Sequence, residues 1–389
     1  MTQRQPSTAG ALGRDNRSLL LRSLYFGAPA SRHALEAATG LSAASVGKVV
    51  RELVDEGVVT EAGSLDSDGG RPRKLLRIAP GYGFVVGVDV GETRIRIGLF
   101  DLAMTELAEA DRLIDPRRRG PETVASRILA GLTTVLAKSA VPADAVIGVG
   151  VGVPGGARRT PEMTDGSPSL GWDPVLLGEL LGRGTDLPLH FDSRASTTGR
   201  AELWFGSGRE TPGTVVALLG SDVGASIISG GPAAHGTPAG EFGHTVLVAG
   251  GRPCRCGSRG CLEAYVGAEA ILDRFREAGG IIADDTDLES ALAAIVHDDQ
   301  GTGVLAETLR YLGASIGGLI NLLNPARVIL GGWAGLLLGE RDLDAIRDAA
   351  RLHSLKHSFA TTTIDLCRLG PDAATRGAAT LPLEHFLNG

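Results

Sequence analysis

"FVVGVDVGETRIRIGLFD", residues 84–101, is two apolar runs joined by a turn through Asp89, Gly91 and Thr93. Within each run the β-branched residues alternate with smaller or polar ones, the two-residue period of a strand, and the glycine-bearing turn makes the pair a hairpin. A second pair, "TVVALLGSDVGASIISGG" at 214–231, carries its own Gly-rich turn. Near the end, "NLLNPARVILGG" at 321–332 reads as helix, strand and Gly-Gly turn. Two hairpins separated by helical segments imply a duplicated α/β body, two lobes with a cleft between them.

The 389 residues are enough for two or three domains. The 56 glycines argue for tight turns and ligand loops. The opening "MTQRQPSTAG" is polar, and no apolar run approaches the roughly 20 residues of a membrane helix, so no membrane partner is expected. Four cysteines, three of them clustered, suit a reducing cytoplasm. Charge is unevenly spread. Residues 1–80 hold 11 Lys or Arg against 8 Asp or Glu, a net +3, and the remainder nets −10. A basic head on an acidic body is a hint of nucleic acid at the N-terminal end.

That head contains three helical patterns. "RDNRSLLLRSLYFG" repeats apolar residues at Leu19, Leu20, Leu24 and Phe26, with Asp15 or Asn16 as the expected cap. "SRHALEAATG" is a short helix capped by Ser31 and stopped by Gly40. "LSAASVGKVVRELVDEG" is capped by Ser42, closes at Gly57, and carries a stripe of Val46, Val49, Val50, Leu53 and Val54. With "VVT", a polar loop and "RKLLRIA" following, the layout is that of a winged helix-turn-helix. Ser42, Ala43, Ser45, Lys48 and Arg51 would face the major groove, and Arg71, Arg73 and Lys74 would meet phosphates from the wing. A double-stranded DNA operator is the expected partner.

"PCRCGSRGC", residues 253–261, packs three cysteines into nine positions. Cys254 and Cys256 are too close to bridge comfortably, and no Cys-x-x-Cys redox pair is present. Adding His244, nine residues upstream, completes a His-Cys-Cys-Cys set of His244, Cys254, Cys256 and Cys261, fit for structural zinc.

These motifs together resemble the ROK family (repressors, open reading frames and kinases) over nearly the whole chain. "GHTVLVAGGRPCRCGSRGCLEAY" matches the family's zinc motif without a gap, "PAGEFGH" its Glu-x-Gly-His sugar motif, and "GGRP" the wing of its DNA-binding branch. The resemblance implies an N-terminal winged helix-turn-helix on a two-lobed actin-like sugar-kinase (ribonuclease H-like) α/β fold. The expected domains are 1–80, 81–200 and 201–389, with the C-terminal helix returning to the first lobe. It also implies that Glu241, His244 and Glu263 bind a sugar hydroxyl set, His244 with one ring nitrogen while the other binds zinc. Ser169 and Ser193 stand at two further sugar positions.

Family kinases take the sugar proton with an Asp in Asn-Asp-x-Asn. Counting back from Glu202 in "FDSRASTTGRAE" puts Arg194 there, with Ser193 at the Asn. A guanidinium cannot act as a base at neutral pH. Asp192 lies two residues away, on a different direction of the chain. The family's Thr-Gly-x-Gly-x-Gly phosphate turn reads "SDVGAS", with Asp222 and Ser226 for two glycines, and Glu92 replaces a glycine in the first phosphate turn. All three changes oppose phosphoryl transfer. The expected protein is therefore a catalytically inactive, dimeric or dimer-of-dimers transcriptional regulator, a repressor. Its effector is expected to be a sugar, sugar phosphate or acidic sugar, with Arg194 welcoming an anionic group. The competing reading is a bifunctional DNA-binding sugar kinase. A zinc hydrolase is disfavoured because four protein ligands leave no place for water.

Overall fold

The computed structural model describes residues 9–65, 72–115, 119–155, 171–209, 211, 213–228, 237–238, 241–283 and 285–389. Arg71 and Ser169 lie outside the described residues.

The head is built from α1 (Ala9–Gly27), β1 (Ala30–Ser31), α2 (Arg32–Thr39), α3 (Ala43–Asp55), β2 (Val59–Leu65) and β3 (Arg73–Ile78), with a small sheet in the order β1-β3-β2. α2 forms where expected: Ser31 Oγ accepts from Ala34 N, and Gly40 ends it at φ 70°. Ser42 caps α3 by accepting from Ser45 N. Three expectations are corrected. α1 begins at Ala9, upstream of Asp15 and Asn16, because "AGAL" continues the helical run and neither side chain has a free helix end to cap. Its buried stripe is Leu20, Leu21 and Leu24, whereas Leu19 is 47% exposed. On α3 the core takes Val46, Val49, Val50 and Leu53 and leaves Val54 half out. Each fully buried Val or Leu contributes roughly 1.5–3 kcal/mol, enough for this stripe to fix the rotation of α3.

The body repeats one design twice. β4 (Phe84–Val90), β5 (Arg94–Asp101) and β6 (Glu106–Leu113) form an antiparallel meander. After α4 (Pro121–Ser139), β7 (Val146–Val153) runs parallel to β4; after α5 (Pro174–Gly182), β8 (Leu189–Ser193) runs parallel to β7. The sheet order is β6-β5-β4-β7-β8. α6 (Arg194–Phe205) then crosses to the second lobe, where β9 (Thr214–Leu219), β10 (Val223–Ile228) and β11 (Thr237–Pro238) repeat the meander. α7 (Glu263–Val266), α8 (Ala268–Glu277), α9 (Leu288–Val296) and α10 (Thr302–Leu323) lead to β12 (Arg327–Gly331). α11 (Trp333–Leu352) and α12 (Lys356–Ala360) lead to β13 (Thr363–Leu366), giving β11-β10-β9-β12-β13. The two orders correspond strand for strand.

α13 (Ala373–Asn388) returns to lie across β4 and β7 of the first sheet and against α6. Its approach is close. A Cβ at Gly87 would sit 1.9 Å from the Thr375 carbonyl oxygen, and one at Gly150 would sit 1.8 Å from that of Ala378. Only glycine allows helix and strand to touch there.

Candidate effector cleft and metal centre

Four segments converge between the lobes. The β4–β5 turn brings Asp89 and Glu92, each 3% exposed. The β9–β10 turn, closed by Gly220 N donating to Asp222 O at 2.9 Å, brings Ser221 and Asp222. α6 opens with Arg194. The loop between β11 and α7 brings Arg255 and, at the start of α7, Glu263.

Arg194 closes the cleft. Its Nε donates to Asp89 Oδ1 at 2.6 Å and one terminal nitrogen to Asp89 Oδ2 at 3.1 Å. The other terminal nitrogen reaches across to Asp222 Oδ1 at 2.8 Å. Burial by itself would lower the pKa of this guanidinium, but the two adjacent carboxylates hold it above its ordinary value, so it stays charged. It accepts no proton. The Asp192 carboxylate turns back onto its neighbour, accepting from Ser193 N at 2.8 Å.

A second cluster lies beside the first. Arg255 donates to Glu263 Oε1 at 2.8 Å, to Glu92 Oε1 at 2.6 Å and to the Ser221 carbonyl at 2.7 Å. Arg119 holds the other Glu92 oxygen at 2.9 Å. Burial pushes the Glu92 carboxyl up to about 7, against the pull of Arg255 and with help from Asp222 and Glu269. Glu92 and Asp222 are thus both satisfied by the chain's own arginines.

Two expected effector contacts change role. Arg194 was expected to face an anionic ligand, but only 7% of its side chain is exposed and both terminal nitrogens are committed to carboxylates. Ser193 was expected at a sugar hydroxyl. It instead caps α6, accepting from Ser196 N at 3.1 Å while its own hydroxyl meets Ser196 Oγ. Glu263 Oε2 accepts from Val223 N at 3.0 Å, leaving lone pairs for a ligand hydroxyl. Glu241 is exposed and heads the short turn Phe242–His244, its carbonyl accepting from His244 N. That turn packs on β10, with so little room that a Cβ at Gly243 would lie 2.3 Å from Val223 O. Glu241, His244 and Glu263 therefore share one neighbourhood around Val223. Arg255 and Arg119 were not anticipated; Arg255's place between two cysteines was the available signal, since a residue so anchored has its direction fixed.

The cysteine loop folds as a knuckle. His244, Cys254, Cys256 and Cys261 offer ligand atoms that all lie within 4.8 Å of one another. Cys256 and Cys261 sulfurs are 3.7 Å apart, and His244 Nδ1 is 3.5 Å from Cys254 Sγ. A disulfide would need about 2 Å, whereas the edge of a tetrahedron of thiolates around zinc at about 2.3 Å is about 3.8 Å. The four residues fit one tetrahedral ion. With Nδ1 turned to the sulfurs, the Nε2 of His244 faces away from them.

In the head, α3 turns Ala43, Lys48 and Arg51 to the outside, the Lys48 side chain being 76% exposed with Glu52 at 3.9 Å. Ser45 is half-buried and the Ser42 hydroxyl is engaged in its cap. Arg73 and Lys74 stand exposed at the start of β3, Lys74 paired with Glu61.

A duplicated hairpin-and-crossover body with a cysteine knuckle at its cleft defines the sugar-kinase class of the actin-like fold. Within it the ROK family pattern matches residues 85–385, and the chain belongs to the ROK family. It is 26% identical over 392 residues to the xylose repressor of Caldicellulosiruptor bescii, covering 96% of each chain. It is 29% identical to the glucokinase of Halalkalibacterium halodurans, over 76% of this chain and 94% of that one. Among solved structures it superposes on a ROK family transcriptional regulator, a homologue of the E. coli MLC protein, with TM-score 0.75 at 24% identity over 97% of both chains. A ROK glucokinase from Streptomyces griseus, solved with glucose and AMPPNP, superposes with TM-score 0.65 at 24% identity over 77% of this chain.

Proposed function

We propose that this chain is a sugar-responsive DNA-binding transcriptional repressor of the ROK family whose kinase-like body has ceased to transfer phosphate. The observation that carries the reading is Arg194. By the family resemblance it stands at the place of the sugar-activating base, and it is tied to Asp89 of the first lobe and Asp222 of the second. A triphosphate entering there would meet the carboxyl groups of Asp89, Asp222 and Glu92, and Arg194, Arg255 and Arg119 are already paired with them. The match to named repressors over 96% of their length supports the same reading, while the glucokinase match leaves room for an unmatched head.

In this reading residues 1–80 are the winged helix-turn-helix, with Lys48 and Arg51 on bases and Arg73 and Lys74 on phosphates. Residues 81–200 and 201–389 are the two lobes. The protein acts as a homodimer in the cytoplasm, because one recognition helix reads one half-site. Three thiolates and an imidazole are the donor set of structural zinc, which would buttress the turn carrying Glu241 and His244. Glu241, His244 and Glu263 would hold the effector, a sugar or sugar derivative. Selection of duplexes from a random pool by the full-length protein, with a coupled assay for hexose-dependent ATP consumption, tests the proposal. Enriched palindromic DNA with no ATP turnover is expected. Turnover with a hexose would revive the kinase reading, and failure to enrich any sequence would end the regulator reading.

A further inference from the structure

We propose that α6 is the element through which the cleft and the head act on one another. The inference rests on the regulator reading and names how its two sites communicate. Each end of α6 is committed to one of them. At its start, Arg194 ties Asp89 of the first lobe to Asp222 of the second. At its end, Trp204, 2% exposed, packs on the head: its ring centroid is 5.5 Å from Tyr25 and 4.9 Å from Phe26 of α1. A polar link runs beside the aromatic one. Arg200 of α6 holds Glu384 of α13 at 2.6 Å, and Arg22 of α1 approaches the same carboxylate at 3.7 Å. Just beyond α6, Arg209 donates to the Phe26 carbonyl at 2.7 Å.

Between these ends the helix has no freedom to absorb a displacement. Every residue from Ser196 to Trp204 is buried. A Cβ at Gly199 would be 2.4 Å from Ser226 Oγ, and one at Gly377 of α13 would be 1.8 Å from Thr197 O. A close-packed helix moves as a body, so a shift at Arg194 arrives at Trp204, about 15 Å along the axis at 1.5 Å per residue. The cleft supplies the input. Glu263 holds Val223 N, Val223 follows Asp222, and Asp222 holds Arg194. A ligand that draws on Glu263 thereby re-sets the grip on α6. Coupling of this kind must run both ways.

Hydrogen exchange followed by mass spectrometry on the full-length protein tests this without DNA or effector. Asp222→Asn, which loosens the clasp from the second lobe, should speed exchange of residues 20–27 of α1 by on the order of tenfold and leave α4 at its parental rate. Asp89→Asn loosens it from the first lobe and should do the same, which covers a folding failure of either variant. Conversely, Trp204→Leu should speed exchange at residues 194–198. Faster exchange confined to the cleft, or rising equally in α4, would overturn the proposal. If the duplex selection enriches nothing while the exchange pattern appears, the regulator reading fails and the mechanical link stands.

Discussion

Arg194 and Asp222 meet across the cleft at 2.8 Å, a guanidinium from α6 against a carboxylate from the second lobe's β9–β10 turn. With Asp89 on the same guanidinium, the three side chains form an internal ion cluster between the lobes. Burying three charges is costly, and the arrangement holds because each is paired and hydrogen-bonded.

Removing the cation should therefore be worse than removing the whole cluster. Arg194→Ala leaves Asp89 and Asp222 buried and unneutralised, and should cost about 3–5 kcal/mol in urea unfolding. The triple change Asp89→Asn, Arg194→Met, Asp222→Asn should recover most of that loss. Arg194→Asp, which restores the residue type of a kinase base, should yield no hexose-dependent ATP consumption and should be less stable than Arg194→Ala. A loss below about 1 kcal/mol for Arg194→Ala would show that the cluster does not hold the lobes.

The knuckle should contain about one zinc per chain, measured by elemental analysis of protein purified without added metal. Cys261→Ser should remove it and lower the melting temperature, because metal affinity is coupled to folding. Recovery of metal-free protein with unchanged stability would refute the assignment.

Operator affinity should fall steeply with salt, as phosphate neutralisation requires. Arg73→Ala should weaken all duplexes by similar factors, while Lys48→Ala or Arg51→Ala should change which sequences are selected. Each lost base contact is worth roughly 1–3 kcal/mol of discrimination. A fragment beginning at residue 81 that still retards the selected duplex would remove the head from the account.

Glu92 supplies a pH dependence whose sign is set by its raised pKa. Unfolded, the carboxyl titrates near 4.5; folded, it titrates near 7. Between these values the folded chain holds the extra proton, so a stabilising contribution present in acid is lost as pH rises to about 7. The size is at most about 3 kcal/mol. Glu92→Gln should therefore gain stability relative to the parent between pH 5 and 7 and level off by pH 8. Urea midpoints for both proteins that stay parallel across this range would contradict it.

Local chemistry was enough for much of this protein. The hairpin at residues 84–101, its repeat at 214–228, the caps at Ser31 and Ser42 and the glycine stops follow from period, side-chain capping and φ preference, all of which act within a few residues. The clustering of His244 with Cys254, Cys256 and Cys261 was equally legible, since the three cysteines lie within one short loop and the loop itself brings them together. That residue 194 cannot take a proton needed only the identity of its side chain. What Arg194 does instead was not legible. Its partners are 105 and 28 residues away, and whether a guanidinium faces solvent, a ligand or two carboxylates depends on how closely the lobes approach. The same holds for Arg255 on Glu92, 163 residues distant, and for Trp204 beneath Phe26. Charge pairing and aromatic packing at these ranges carry no periodic trace in the chain. They are decided by burial, where a charge without a partner is too costly to keep, and so they emerge only when the lobes and the head have closed on one another.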